Sequence, residues 1–183
     1  MRRLVNSTYV SLDGVIENPQ NWPATGGFSD EGNTVQAELL NSCDAVVMGR
    51  RTYEGFAPVW PTLSGDPVGD RMNAVPKYVA STTLRDPEWQ NTTVLEGDPV
   101  QRIAELKEQD GLGIVQYGFG RLTYGLMAAG LLDELHLWVH PFFVGRASTD
   151  DLLFRPGDPV LFEPTDTQAL SSGIVILRYR KRA

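Results

Sequence analysis

Short apolar runs alternate with amphipathic stretches from Leu4 to Val139, and after that the alternation stops. Strands separated by helices run parallel and need helices on both faces, so this pattern confines the chain to an α/β class. The spacing predicts strands over 4–11, 45–48, 77–80, 92–95, 113–116 and 134–139. It predicts helices from Ser29 or Asp30 to about 41, over 51–56, from the Asp98-Pro99 start to about 109, and over 122–129. Asp98-Pro99 is a strong start signal, because a capping carboxylate precedes a proline fixed at helical φ. The last third predicts strands over 159–162, 167–170 and 174–179 without helices between them, and Ser171-Ser172-Gly173 supplies a hairpin turn. A mostly parallel, helix-covered sheet with an antiparallel edge follows. Residues 18–27 and 57–76 read as long loops, the first a candidate flap. No repeat or linker divides the chain, so residues 1–183 are expected to form one domain.

Two turns carry the chemistry. In Val46-Val47-Met48-Gly49-Arg50-Arg51-Thr52 an apolar strand runs into a glycine and two arginines at a helix start. A helix N-terminus offers unpaired N–H groups and partial positive charge, glycine admits an anion to the backbone, and arginine adds a forked donor. Ile114-Val115-Gln116-Tyr117-Gly118-Phe119-Gly120-Arg121 repeats the design. Both turns lie at strand carboxyl ends, where ligands of open parallel sheets bind, and a dinucleotide has phosphates for two such turns.

Composition narrows the classes further. The 183 residues carry 16 basic and 23 acidic side chains, a net charge of −7, which disfavours general nucleic-acid binding. The single cysteine, Cys43, excludes an intrachain disulfide and reads as a buried thiol. No apolar run approaches the roughly 20 residues of a membrane span, and the expected location is the cytoplasm.

Met48-Gly49-Arg50-Arg51-Thr52-Tyr53-Glu54 is similar to the glycine-arginine-x-threonine turn of dihydrofolate reductases. Gly118-Phe119-Gly120-Arg121-Leu122, followed by Gly130-Leu131-Leu132-Asp133-Glu134-Leu135, resembles the glycine turn and "GLVDEL" segment of their relatives. Ser11-Leu12-Asp13-Gly14, Pro76-Lys77-Tyr78-Val79 and Leu153-Phe154 complete the pattern. Together they resemble the dihydrofolate reductase-like superfamily, in the branch that holds the C-terminal reductase domain of the bifunctional riboflavin-biosynthesis deaminase-reductase.

The resemblance implies a three-layer α/β fold on an eight-stranded sheet, NADPH as hydride donor, a small heterocyclic substrate and often a homodimer. It implies that Gly49, Arg50, Arg51 and Thr52 face the adenosine-side phosphates, with Ser81 and Thr82 adding hydroxyls. It places Gly118, Phe119, Gly120, Arg121 and Leu122 under the pyrophosphate, and Val15 and Ile16 beside the nicotinamide. The chain departs from the family at Phe119, bulky where many relatives have glycine, and at Val144-Gly145-Arg146-Ala147 in place of the usual "LGxG". One cysteine cannot build a deaminase zinc site, so only the reductase half is represented.

A carboxylic acid in an apolar cleft can deliver the proton that accompanies hydride transfer. Asp30 is the first candidate, with Asp13, Glu31 and Glu38 as competitors; Asp30 could equally be a helix cap. Asp13, Trp22 and Trp60 are candidate substrate contacts, the indoles as stacking surfaces for a flat ring. Asp13 could instead be a turn residue, and the tryptophans could anchor their loops. His136 and His140 stand about 13 Å apart along a strand at ~3.3 Å per residue, so no metal site is expected. Two other readings stay open: a non-catalytic NADPH- or small-molecule-binding protein on the same fold, and a Rossmann dehydrogenase, the latter weakened because Thr123 occupies the third small position.

Overall fold

In the computed structural model, which describes residues 1–23, 29–154 and 157–182, one eight-stranded sheet organises the chain. Its strands are β1 (Leu4–Ser11), β2 (Cys43–Gly49), β3 (Lys77–Ala80), β4 (Thr92–Leu95), β5 (Gly113–Tyr117), β6 (Glu134–His140), β7 (Phe162–Ala169) and β8 (Val175–Lys181), in the order β4-β3-β2-β5-β1-β6-β8-β7. The ladders from β4 to β6 are parallel, and β8 pairs antiparallel with both β6 and β7. This is the mostly parallel sheet with an antiparallel C-terminal edge that the alternation predicts.

Five helices cover it: α1 (Asp30–Asn41), α2 (Arg50–Phe56), α3 (Pro67–Ala74), α4 (Pro99–Glu108) and α5 (Arg121–Ala128). Successive strand residues face opposite sides, and the core divides accordingly. Val5, Val46, Met48, Val115 and Tyr117 pack under Leu39 and Leu40 of α1, Tyr53 of α2 and Met72 of α3. Leu4, Ala45, Val47 and Ile114 face Ile103 and Leu106 of α4 and Leu126 of α5. The central strands are therefore buried on both faces and mostly apolar, with Asn6, Ser7, Thr8 and Gln116 as buried polar exceptions. Each fully buried leucine or isoleucine contributes on the order of 2 kcal/mol.

Several boundaries shift by one or two residues, and three differences matter more. Residues 57–76 are not a loop: Trp60–Thr62 forms a 3-10 turn, and α3 follows with Asp66 capping Val68 and Gly69. Met72 and Asn73, assigned to that loop, are buried. Residues 159–162 and 167–170 are not separate strands. β7 runs unbroken through Pro164, tolerated because β7 is an edge strand and its register shifts between Pro164 and Asp166. Finally, α2 starts at Arg50 rather than Arg51, directly after Gly49. The strand order also departs from the Rossmann order 3-2-1-4-5-6, because β1 is inserted between β5 and β6. Among the described residues, no helix is long and apolar enough to cross a membrane.

Candidate active site

The two glycine turns, far apart in sequence, are brought together because β5 lies directly beside β2, with Met48 opposite Tyr117 at their carboxyl ends. The next residues of each strand form the turns, and they touch. A Cβ on Gly118 would lie 2.3 Å from Thr52 Oγ1, and Gly118 holds φ +77°, so the crossing admits only glycine.

Helix capping separates these turns from the rest of the molecule. Ser29, Asp66 and Asp98 each cap their helix with a side-chain oxygen. The helices at the crevice, α2 and α5, begin instead at Gly49 and Gly120, which offer no side-chain cap. Nothing lies within 4 Å of where a Cβ would stand on either glycine. Both Cβ positions are open with the positive end of a helix behind them, the setting that accepts phosphate, while the Gly120 N–H is itself taken by Thr123 Oγ1 at 3.3 Å.

Charged groups ring this edge. Arg50 ion-pairs with Glu54 at 3.3 Å and donates 2.6 Å to Thr83 Oγ1 beyond β3, which fixes its guanidinium towards the 81–83 loop. Ser81 Oγ accepts from the N–H groups of Thr83 and Leu84 and so shapes that loop, while Thr82 is exposed. Arg51 reaches the other way and pairs with Glu17 at 3.3 Å. Arg121 opens α5 with an exposed side chain, and Leu122 behind it packs against the core. The Phe119 ring turns edge-on to Tyr124, 5.3 Å between centroids, and packs against α5.

Val15 and Ile16, expected beside the nicotinamide, lie just past the end of β1. Both are buried, and an antiparallel bridge joins Val15 to Leu152. Ile16 N–H donates to Asp151 and Leu153 N–H to Gly14, while Tyr124 Oη donates to the Leu153 carbonyl. The segment after β1 is thus fastened through residues 151–153 to α5.

The other candidates fall in different settings. Asp13 is a turn residue: its carboxylate accepts from Ser11 Oγ at 2.5 Å and from the N–H groups of Gly145 and Val144, which holds its pKa down at about 2. Trp22 donates to the Glu17 carbonyl and stands edge-on to His140 and Phe142. Trp60 packs against Phe56 and accepts from Asn73 through its carbonyl, anchoring the segment before α3 to the core. Asp30 is exposed at the first position of α1, where Ser29 is the cap. Glu31 is held by Ser171, whose N–H and hydroxyl both donate to it at 2.8 Å and lower its pKa. Residues 24–27 of the expected flap lie outside the described residues.

Further features escape sequence reasoning. Tyr9, Trp138 and His140 form an aromatic group where β1 meets β6, with Tyr9 and His140 centroids 4.6 Å apart. Burial raises the Tyr9 hydroxyl to about 12 and lowers the His140 imidazole to about 4. The one available signal was register, since Tyr9 lies opposite Trp138. Cys43 is buried with a raised pKa. Two concavities lie away from the turns. One, of about 320 Å³, is lined by Pro61, Ser64, Asp70, Asn73, Ala74 and Gln90 and carries no cation. The other, of about 240 Å³, lies at the amino-terminal edge of the sheet beside Glu38, and its arginines are already paired, Arg3 with Glu134 and Arg178 with Asp166. Neither offers an anion what the glycine turns offer, so the crevice is the candidate site.

A mostly parallel eight-stranded sheet of this order with an antiparallel C-terminal edge is the dihydrofolate reductase-like fold. More narrowly, the chain belongs to the RibD C-terminal domain family, whose model matches residues 2–176. It is 26% identical over 190 residues to the uncharacterized protein YyaP of Bacillus subtilis, covering 97% of this chain and 94% of that one. A solved structure from Shewanella sp. PV-4, named for riboflavin biosynthesis, superimposes over the whole of both chains with TM-score 0.69 at 20% identity. A pyrimidine reductase-like protein from Corynebacterium diphtheriae superimposes over all of this chain and 92% of its own with TM-score 0.65 at 11% identity. At these identities the two structures speak for the fold.

Proposed function

We propose that the protein is an NADPH-dependent reductase of a small heterocycle of pterin or pyrimidine type. The single observation carrying this reading is the close approach of the two glycine turns, where Gly118 leaves no room for a Cβ beside Thr52, with Arg50, Arg51 and Arg121 around them. Open glycines, unpaired N–H groups and fixed guanidinium groups are what a dinucleotide with several phosphates needs. Arg50 and Thr83, together with Ser81 and Thr82, would hold the 2′-phosphate that separates NADPH from NADH, and Gly118 to Leu122 would hold the pyrophosphate. When bound, NADPH supplies the hydride. The chain supplies position and dryness: Val15 and Ile16 exclude water at the ring end, and their fastening to α5 keeps that wall at a fixed distance from the glycine turn. Asp30 is the proposed proton donor, and Asp30→Asn tests it through turnover at unchanged NADPH affinity.

Titration with NADPH and NADH tests the cofactor reading. Arg50→Ala combined with Arg51→Ala is expected to weaken NADPH by about tenfold or more with little effect on NADH. Equal binding by the variant would remove the 2′-phosphate assignment. NADPH oxidation assayed with dihydrofolate and with 5-amino-6-(5-phosphoribosylamino)uracil tests turnover. The exposure of Asp30 favours, as a second reading, a protein that binds the nucleotide without reducing anything; NADPH binding without oxidation in either assay supports it.

A further inference from the structure

We infer that Asn6 and Gln116 are positioning residues of the coenzyme site, two buried amides that hold the Gly118–Gly120 turn from beneath so that the Phe119 N–H faces outward. The inference rests on the NADPH reading above. Asn6 of β1 lies directly opposite Gln116 of β5, and they are 0% and 2% exposed. By strand alternation both face α4 and α5, beside Leu4 and Ile114.

Among the described residues, their donors go to Gly118 and to Thr123. Asn6 Nδ2 donates 2.7 Å to the Gly118 carbonyl. Gln116 Nε2 donates 2.8 Å to Thr123 Oγ1, which also accepts from the Gly120 N–H at 3.3 Å. One amide thus ties the residue that ends the strand, and the other, through Thr123, ties the residue that opens α5. A trans peptide unit directs its carbonyl and its N–H to opposite sides. Holding the Gly118 carbonyl inward therefore turns the Phe119 N–H outward, beside the open first turn of α5. From the other side Thr52 pins the same glycine.

Stability does not account for these residues. Among the described residues, Asn6 Oδ1 and Gln116 Oε1 are buried without a hydrogen-bond partner, which is destabilising, and aliphatic side chains would fill the same layer without that cost. What the amides supply is two donors aimed at one turn. Departures from a simple apolar core are expected where geometry serves a ligand.

Two ligands separate this role from the wider reading: NADPH, and 2′-AMP, which has the 2′-phosphate but no pyrophosphate. Binding of both is measured by calorimetry to the wild-type chain and to Asn6→Leu, Thr123→Val and Thr123→Ser. Asn6→Leu and Thr123→Val are expected to weaken NADPH by about tenfold and leave 2′-AMP unchanged, while Thr123→Ser, which keeps the hydroxyl, stays within about twofold of wild type. If both loss variants bind NADPH like the wild type, weaken both ligands alike, or match Thr123→Ser, the positioning role is overturned. If Asn6→Leu fails to fold, the two Thr123 variants decide. Failure of the wild type to bind NADPH would instead overturn the cofactor reading, and this inference with it.

Discussion

His140 enters the core as a neutral ring. Packed against Tyr9, Trp22 and Phe142 and 4% exposed, it is desolvated, and its pKa falls from 6.5 to about 4. Because the folded value lies below the unfolded one, the unfolded chain takes up the proton first as pH falls. The stability tied to the neutral ring is complete above about pH 6.5 and is lost down to about pH 4, a total of up to about 3 kcal/mol at 1.36 kcal/mol per unit. Urea midpoints at pH 7.5 and pH 4.5 should therefore differ, and His140→Gln should shrink the difference; an unchanged gap would reassign the acid sensitivity. Asp13 acts in a lower window. Its depressed value of about 2 means that its contribution is whole above about 3.8 and lost below, after His140 has already charged.

Gly118→Ala is the substitution the crossing of β2 and β5 tolerates least. It would force a Cβ into the left-handed region and against Thr52, costing about 1–2 kcal/mol for the backbone alone. Thr52→Ala in the same chain should recover the steric part of the lost thermal stability and not the backbone part; full recovery would show that strain at φ +77° contributes nothing. Elements of this kind were legible in the sequence where one local signal fixes them. Gly49 before two arginines, Asp98-Pro99 before α4 and the apolar runs of the central strands all form as read. Where signals compete, the reading failed. Asp66-Pro67 is the same start signal as Asp98-Pro99, but Pro58, Pro61, Gly65, Gly69 and Pro76 around it made α3 look like loop. Pro164 broke β7 on paper because edge position is a property of the sheet, not of the segment. The arginines and glycines of the site could be picked by residue type. Thr83, Glu17 and Asn6 could not, because each acquires its role from a partner 33 to 112 residues away, and Gln116 could not, because its bond to Thr123 spans the strand-to-helix turn.

At the scale of the whole molecule, a chain of net charge −7 gathers its site cations at one edge of the sheet and sets an acidic competitor beside them. Glu17, on the segment after β1, holds Arg51, whose side chain is 72% exposed. An anionic ligand reaching Arg51 must displace that carboxylate, so Glu17→Gln is expected to tighten NADPH roughly threefold at low salt, with the gain fading towards 0.5 M salt as exposed pairs are screened. Titrations at the two ionic strengths check this, and a gain indifferent to salt would mean that Glu17 acts through shape. The order of the strands has one more outcome. β1 and β2 carry the first half of the crevice yet never pair with each other, because β5 is inserted between them. During synthesis the early strands wait for residues 113–117, and the two glycine turns cannot meet before that late keystone is seated. On the proposed reading, a nucleotide would be captured only by chains whose central sheet has closed, and would act as a clasp across its seam.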